Sequence, residues 1–557
     1  MKEKKNLFSY LKFDIASGLV VFFVALQLCL GISLASTSYS GIEGMEDFTG
    51  VVMPGLIAGI IGGLVVGSLS GSRFGVSGPA AGLITIVSAA IIEFGGFANG
   101  GFEKFALAVA LGGVIQFILG MVKAGFVAYY IPFSVIKGML AGIGVTIFIK
   151  ELPHFFGYDK DPEGDMNFVQ ADGHTTFEDL WLMTENVHWG ATFVAALSLF
   201  ILIFWGFKFI QKNKILSMIP GPLLAIIVSV GVAYLFMGNA DLMIAGEHLV
   251  SVPEPQSMEE FKGMLYFPDF SAISDPGVWR VAVVIALVAS IETLLCVEAT
   301  DKMDPNKGRT PMNRELRAQG VGNLLSGLIG GLPITQVIVR STANITSGAK
   351  TKMSAVIHGG FLLAFVLLIP GVLNMIPRAT LAAVLLLIGW KLASPKTMRD
   401  MIKAGWEQFV PFFVVIIVML LSDLLKGVGA GLAVGFLILF YKNYRVSYFL
   451  KRENGKAVTD EEKKENSASI IKSFHDSDHG DDKIVLVLSA HANFLNKASI
   501  MRTLDEIEDG KTVVLDLTKS VDIDYDVKEA IDDFVKGAED RDITVEFIHK
   551  EKLGLED

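Results

Sequence analysis

Long apolar runs separated by short polar stretches fill the first 450 residues of the chain. A helix that crosses a bilayer needs about 17–25 mostly apolar residues. Windows of that length begin near Ile15, Val51, Phe105, Pro132, Trp189, Ile219, Trp279, Met353, Ala379 and Phe409, and shorter ones follow Ser77, Leu316, Ile334 and Lys426. The pattern therefore predicts a polytopic α-helical membrane protein with about fourteen transmembrane segments.

The pattern changes after residue 450. Residues 451–482 are polar and charged, which predicts a linker. Further on, 483–488, 512–517 and 543–548 have the pattern of strands, whereas 496–508 and 525–536 have that of helices. This alternation predicts a small cytoplasmic α/β domain over 483–557.

Composition and charge agree with this division. Of the 557 residues, 52% are hydrophobic and 19% are charged, which is too apolar for a soluble protein of this size. Residues 451–557 hold 27 acidic and 16 basic side chains, so the whole net charge of −11 lies in the tail. Nucleic acid is not expected as a partner of such a tail. The two cysteines, Cys29 and Cys296, lie in apolar segments and suggest neither a disulfide framework nor a metal site.

Charges in the polar loops predict the orientation. With the N-terminus in the cytoplasm and the segments alternating, the basic loops fall inside and the acidic loops fall outside. The basic loops lie at 208–214, 302–317, 350–352 and 391–403, and the acidic ones at 43–47, 158–185 and 239–275. We expect a multi-pass protein in the lipid of the cell inner (plasma) membrane, with both termini cytoplasmic.

One segment, 330–350, is too short and too polar for an ordinary span. Gly330, Gly331 and Pro333 break its helix, and irregular backbone at membrane depth survives only where it lines a cavity or is buried in protein. A helix that starts near Ile334 or Thr335 would point its backbone N–H groups and the positive end of its dipole at the break, which favours an anion. Arg340 adds a full charge nearby.

A matching interrupted stretch, GVSGPAAGLITI at 75–86, occurs in the first half of the chain. Paired interrupted helices at corresponding positions of two halves are the best pointer in a sequence to the binding site of a transporter. The halves also share a weak similarity, since Gly112-Gly113 followed by IPFSVI resembles Gly359-Gly360 followed by IPRATL. About seven spans in each half would make the two repeats inverted.

Three stretches carry a resemblance to a known family. SIETLLCVEATDKM at 290–303, RELRAQGVGN at 314–323, and VRSTAN at 339–344 with SGAK at 347–350 resemble the sulfate permease (SulP/SLC26) anion transporters. The resemblance covers nearly the whole chain, and the tail looks like the STAS domain of that family. Several ordered motifs make it specific for the family but not for the substrate.

The resemblance implies an architecture. It divides the chain into a transmembrane transport domain over 1–450, a linker over 451–482 and a STAS domain over 483–557. The transport domain would contain two inverted repeats of seven segments, with a core domain (segments 1–4 and 8–11) and a gate domain (segments 5–7 and 12–14). Family members are commonly dimers that move anions by an elevator-like displacement of the core, so a homodimer is expected.

The resemblance also implies an anion site at the two interrupted segments. Arg340 matches the position where several members carry an arginine beside the anion, although a structural ion pair is the alternative. Backbone N–H groups would do most of the binding, assisted by neighbouring side chains. Glycine and serine at these positions could equally mark close helix packing. The candidate substrate-binding residues are Arg340, Ser77, Gly78, Thr335, Gln336, Val339, Ser341 and Gln27, the last in the first segment where the family usually has proline.

Glu292 is the candidate coupling residue. It lies among apolar residues in the eighth segment, where resembling members place an acidic residue for proton or sodium coupling. It could take up a proton near neutral pH unless Arg340 holds it ionised. Cys296 sits where sodium-coupled members can use a hydroxyl, and sodium prefers hard oxygen ligands, so protons are favoured. A helix-packing role for Glu292 remains the alternative.

The function expected from these observations is secondary active transport of a small inorganic anion, bicarbonate or sulfate. Coupling to H⁺ or Na⁺ is expected, and no other cofactor or metal. Dicarboxylate symport is one alternative, and an anion channel or uncoupled exchanger is another. No nucleophile elbow, phosphate loop, zinc pattern or dinucleotide fingerprint occurs, so an enzyme is not indicated.

Overall fold

The computed structural model describes residues 10–39, 48, 50–160, 168, 174–207, 210, 219–239, 241–305, 307–446, 471–475, 483–488, 491–518 and 520–553. Helices dominate up to residue 446. They are α1 (Leu11–Thr37), α2 (Met53–Leu69), α3 (Ile84–Glu93), α4 (Gly101–Met121), α5 (Phe133–Phe155), α6 (Thr176–Glu185), α7 (Trp189–Trp205), α8 (Gly221–Phe236), α9 (Met258–Gly263), α10 (Pro276–Met303), α11 (Met312–Leu328), α12 (Ile338–Thr346), α13 (Met353–Leu368), α14 (Pro370–Leu373), α15 (Arg378–Leu392), α16 (Pro395–Lys403), α17 (Trp406–Leu421) and α18 (Leu424–Val446).

Within the described residues, five helices are long and apolar enough to cross a membrane: Leu11–Thr37, Gly101–Met121, Phe133–Phe155, Pro276–Met303 and Arg378–Lys403. The bent pair α6 and α7 makes a sixth if it is counted as one span. Six shorter apolar helices of 10–17 residues accompany them, among them α2, α8, α13 and α17. The count of fourteen segments stays a prediction, since breaks and bends divide many of the apolar runs.

The two interrupted segments meet in the middle of the helical region. Strand β1 (Ser77–Pro79) pairs antiparallel with strand β2 (Ile334–Gln336), and Gly78 lies opposite Thr335. The predicted helix start near Ile334 or Thr335 is therefore wrong by a few residues, because that backbone is used in the strand pair and α12 begins at Ile338. In the first half, a 3₁₀ turn at Ala81–Leu83 likewise separates β1 from α3.

The helices pack in two groups. In the core group, α1 packs on α13 and α12, and α4 packs on α10 and α11. In the gate group, α5 packs on α15 and α17, and α7 packs on α8 and α15. The groups meet where α1 contacts α15 and where α10 contacts α5. This arrangement leaves the pair β1 and β2 inside the core group.

Small residues allow the closest contact in the core group, between α4 and α11. A Cβ added to Gly113 would overlap the backbone N of Leu324, and a Cβ on Gly320 would collide with the backbone of Phe117. Close approach of two helix backbones through glycine is typical of membrane helix pairs. The backbone of α11 is thereby held beside the strand pair, where its Asn323 donates to the Ile334 carbonyl at 2.9 Å.

The tail forms an α/β region. Its sheet has the order β3 (Ile471–His475), β4 (Lys483–Leu488), β6 (Thr512–Asp516) and β8 (Thr544–Ile548), and only β3 is antiparallel to its neighbour. A second pair joins β5 (His491–Ala492) to β7 (Asp522–Ile523), and the helices are α19 (Phe494–Asp505) and α20 (Tyr525–Ala538). The predicted strands and helices of the tail are present within a few residues. The strand β3, however, falls in 451–482, which the charge pattern had assigned wholly to a linker.

Candidate functional site

A cavity of about 50 Å³ lies beside the strand pair, between the core and gate groups. Room for one water needs about 10–15 Å³, so the cavity has space for a few water molecules. The core group supplies most of its wall. The lining residues are Leu28, Ile32, Pro79, Ala81, Ile143, Thr146, Glu292, Cys296, Val337, Ile338, Val339, Arg340, Met419 and Leu424. We call this space the central cavity.

Arg340 is the only basic residue in this lining, and its side chain is fully buried. It is the third residue of α12, and its guanidinium lies against Cys29 of α1 and Gly78 of β1. Nη2 donates to the Cys29 Sγ at 3.3 Å, but Nε and Nη1 have no hydrogen-bond partner among the described residues. A buried cation without a partner is costly in a membrane protein, so such residues usually serve a ligand or a charge pathway.

Gly78 in β1 makes room for this guanidinium. A Cβ added to Gly78 would overlap Nη1 of Arg340, and the guanidinium carbon would be 2.8 Å away. Gly78 does not itself line the cavity, so its contribution is the absence of a side chain. The sequence had indicated this glycine as a substrate-binding residue. In the structure it packs against the guanidinium of Arg340, outside the lining of the cavity.

Glu292 reaches the cavity from α10 and is 6% exposed. A Cβ on Gly82 would stand 3.1 Å from Oε2, so the carboxylate packs on the backbone at the start of the third segment. Oε2 has no hydrogen-bond partner among the described residues. One turn later on the same helix, the Cys296 thiol lies beside the backbone N–H of Ile338. Thus α10 presents Glu292 to one interrupted segment and Cys296 to the other.

Helix starts add partial positive charge to the cavity. The first N–H groups of a helix have no partner inside the helix, and the dipole is positive at that end. Ile338, Val339 and Arg340 form the first turn of α12 and all line the cavity. An anion placed there would meet this turn as well as the guanidinium.

Three polar residues predicted for the site do not line the central cavity, and their side chains form hydrogen bonds with neighbouring segments. The Ser341 hydroxyl accepts the Val76 N–H at 3.0 Å and donates to the Val337 carbonyl at 2.7 Å. The Gln336 side chain donates to Thr300 Oγ1 at 3.1 Å, and the Ser77 hydroxyl accepts from Gln319 at 2.7 Å.

Thr335 and Gln27 lie elsewhere. Thr335 is fully buried in β2, its hydroxyl has no partner among the described residues, and it does not line the central cavity. Gln27 lines a separate cavity of about 300 Å³. Of the residues predicted from the sequence, the central cavity brings together Arg340, Val339, Glu292 and Cys296.

Sequence reasoning missed the gate side of the cavity. Thr146 on α5 lines it, is 3% exposed and has a hydroxyl without a partner among the described residues. Ile143, Met419 and Leu424 form the rest of the gate wall. The signal that could have identified Thr146 was a lone threonine within the apolar run of α5. Within the described residues, no group of three or more His, Cys, Asp or Glu side chains could hold a metal ion.

Comparisons with known proteins agree with a transporter. The Sulfate permease family matches residues 11–418. The protein named "Putative sulfate transporter YvdB" from Bacillus subtilis is 28% identical over 76% of this chain and 72% of its own length. The "Bicarbonate transporter BicA" of a Picosynechococcus species is 25% identical over 94% of this chain and 88% of its own.

A solved structure supports the fold. The transmembrane domain of a cyanobacterial bicarbonate transporter BicA superposes with a TM-score of 0.53 at 23% identity, over 76% of this chain and 99% of that one. The family match covers well over half of the chain, and the matched region contains every residue of the central cavity except Met419 and Leu424. The chain therefore belongs to the sulfate permease family, whose members are anion transporters and not enzymes.

Proposed function

We propose that this protein is a secondary active transporter of a small inorganic oxyanion, with bicarbonate and sulfate as the first candidates. The observation that carries the proposal is Arg340, a fully buried guanidinium with two nitrogens unpartnered among the described residues. It lines a cavity together with the first turn of α12. An anion bound there would supply the missing charge and hydrogen-bond acceptors.

Glu292 provides the coupling in this proposal. A proton on its carboxylate would leave the cavity with a net positive charge for the anion, and an ionised carboxylate would compete with the anion. The neighbouring sulfur of Cys296 is a poor ligand for sodium, so protons remain the favoured coupling ion and sodium the alternative. Each anion would then move with a proton.

Movement of the core group against the gate group is the proposed transport step. The central cavity has walls from both groups, since Glu292 and Arg340 belong to the core and Thr146 and Met419 to the gate. A displacement of the core would carry the anion past the gate wall, as in elevator-type alternating access. The gate contributes one hydroxyl and otherwise apolar side chains, which suits a surface that must release its contacts.

Two other functions are weighed against this one. A dicarboxylate carries charge at both ends, and the lining of the central cavity holds a single cation, which favours a compact anion. An uncoupled channel needs a continuous water-filled path, and the central cavity has room for only a few water molecules at about 50 Å³. We further propose inverted repeats of seven segments, a STAS fold for the tail, a homodimer, and an inner-membrane location with cytoplasmic termini.

The test is uptake of labelled bicarbonate, sulfate and succinate into liposomes that contain the purified protein. Proton and sodium gradients are imposed separately on wild type, Glu292→Gln and Arg340→Gln. We expect one inorganic anion to accumulate only with a gradient. Glu292→Gln should abolish that dependence, and Arg340→Gln should abolish uptake. The controls are Glu259→Gln and Arg399→Gln, which change exposed residues of the same charge.

Distinct outcomes would overturn distinct parts of the proposal. Flux that ignores both gradients in wild type, and is unchanged in Glu292→Gln, would indicate an uncoupled exchanger or channel. Accumulation of succinate in preference to sulfate and bicarbonate would indicate a dicarboxylate carrier. Unchanged transport by Arg340→Gln would remove the central cavity as the anion site.

A further inference from the structure

A second cavity, of about 300 Å³, lies between the core and gate groups toward the Thr37 end of α1. The core supplies one wall through α1 and the start of α2. The gate supplies the other through the start of α15 and the segment 250–253. Its lining residues are Gln27, Leu30, Gly31, Leu34, Val52, Val250, Ser251, Pro253 and Arg378. We call it the outer cavity, because the predicted orientation places the Thr37 end of α1 outside.

Gln27 is the first unusual feature of the outer cavity. Its side chain is 1% exposed, and neither its amide nitrogen nor its amide oxygen has a hydrogen-bond partner among the described residues. An unsatisfied buried amide costs about 1–3 kcal/mol, so a partner of another kind is expected. Within the described part of the chain, Gln27 therefore brings an unpartnered donor and acceptor to the wall of the outer cavity.

Arg378 is the second unusual feature of the outer cavity. It is half-buried, and its Nε donates to the Leu249 carbonyl at 3.2 Å, which fixes the side chain against the segment before Val250. No carboxylate among the described residues lies within ion-pair distance of it. The nearby Glu254 carboxylate instead accepts from Asn374 Nδ2 at 2.6 Å. Among the described residues, the charge of Arg378 is thus left to a ligand in the cavity.

We propose that the outer cavity is a second anion site, in which Arg378 and Gln27 capture a small inorganic oxyanion before it enters the central cavity. This inference rests on the proposed function and orientation. Arg378 offers a charged donor pair, Gln27 offers an amide N–H, and the exposed hydroxyl of Ser251 can complete the shell. Since a water molecule in the liquid takes about 30 Å³, the cavity holds an oxyanion with part of its hydration shell.

The two capturing residues belong to different groups, since Gln27 is on α1 of the core and Arg378 is on α15 of the gate. The site is complete only while the core keeps this position relative to the gate. A bound anion would therefore favour this arrangement over any arrangement that separates the two residues. The charge of Arg378 would also raise the local anion concentration within the outer cavity.

The experiment uses a cysteine as a reporter of the electrostatic field. Ser251→Cys places a thiol in the outer cavity, while the native Cys29 and Cys296 are buried. The rates of modification by an anionic and a cationic membrane-impermeant methanethiosulfonate are measured with Arg378, Arg378→Lys and Arg378→Gln. We expect Arg378→Gln to lower the anionic-to-cationic rate ratio about tenfold and Arg378→Lys to keep it. Sulfate is the probe ligand, and it should lower the rate of modification by the anionic reagent in a saturable manner. Gln27→Leu should require higher sulfate concentrations for the same effect.

This readout does not depend on transport, so it separates failure of the capture site from failure of the proposed function. A rate ratio unchanged by Arg378→Gln, or no saturable effect of sulfate, would overturn the proposal. In liposomes that transport sulfate, Arg378→Gln should raise the KM for uptake of external sulfate about tenfold without changing the maximum uptake rate. Arg399→Gln is the matched control, and thermal unfolding confirms that each variant folds.

Discussion

Glu292 and Arg340 line the same cavity without forming an ion pair. The carboxylate packs on Gly82, and the guanidinium packs on Gly78 and bonds to Cys29. The two charges are therefore held apart by the two interrupted segments. Their separation keeps the arginine available to an anion and the carboxylate available to a proton.

We expect Glu292→Gln and Arg340→Gln to differ in a sulfate-binding assay. A ligand at about 100 times its Kd stabilises a protein by about 2.7 kcal/mol, so sulfate should raise the melting temperature of wild type. Glu292→Gln should keep this shift, because the guanidinium does not depend on the carboxylate. Arg340→Gln should lose it. Loss of the shift in Glu292→Gln would show that the two residues act as one pair.

Gly78→Ala should damage the anion site through steric displacement. A methyl group at Gly78 would overlap Nη1 of Arg340, so the guanidinium must move, and a displacement of about 1 Å can cost about 100-fold in rate. We expect kcat/KM for anion uptake to fall at least tenfold, in a variant that still folds. Gly360→Ala is the control, because a Cβ there would meet nothing within 4 Å. Equal activity of the two variants would contradict the geometry.

Thr146→Val tests the gate wall of the central cavity. Valine keeps the shape but removes the hydroxyl, which has no partner among the described residues. If the hydroxyl binds the anion, its loss removes about 1 kcal/mol of binding, or several-fold in KM, with no loss of stability. Thr380→Val is the matched control. Thr380 is also buried in the gate group, and its hydroxyl has no hydrogen-bond partner among the described residues, but it lies outside the central cavity. The hypothesis fails if both variants have the wild-type KM.

The contact between the tail and the helical region should depend on pH through Glu529. Burial raises the pKa of Glu529 from 4.5 to about 7, although Lys302 Nζ lies 3.4 Å from its carboxylate. Between those values the folded protein holds a proton that the unfolded chain releases, so stability falls as pH rises from about 4.5 to about 7. After correction for the pH dependence of intrinsic amide exchange, α20 should accordingly be better protected from hydrogen exchange at pH 5.5 than at pH 7.5 (chosen on either side of about 7).

Glu529→Gln should flatten this dependence, because glutamine does not titrate. The exposed Asp522→Asn should leave it unchanged. A lower protection factor of α20 at the lower pH in wild type would contradict the assignment. So would a dependence that survives in Glu529→Gln.

Asp526 connects the tail to the gate group. Its carboxylate accepts the backbone N–H of Phe133 at the start of α5 and accepts from Gln408 at 3.2 Å, with the buried Lys497 at 3.9 Å. Removing one partner of a buried ion pair costs about 3–5 kcal/mol. Asp526→Ala should therefore destabilise the tail by a few kcal/mol in chemical unfolding, and Asp532→Ala by much less. Similar losses would mean that the Asp526 contacts contribute little.

The sequence by itself determined the kind of molecule and indicated the two interrupted segments beside which the central cavity lies. Apolar runs of bilayer length predict transmembrane helices because the backbone must satisfy its hydrogen bonds internally in lipid. The same rule makes a break at Gly330–Pro333 informative, so Arg340 and its half-helix could be identified from residues near one another in the chain. The alternation in the tail was equally local, which explains why its helices and strands fall close to the predicted bounds.

Only the tertiary structure decided which side chains face the cavity. Ser77 and Gln336 have the right chemistry for an anion, but their hydrogen bonds to Gln319 and Thr300 hold the frame. Gln27 and Leu28 are neighbours in α1, yet they line different cavities, because successive helical residues point about 100° apart. Thr146 and Arg378 come from the gate group, outside the two interrupted segments. Contacts between groups distant in sequence leave no periodic pattern, and so the two cavities required the packed structure.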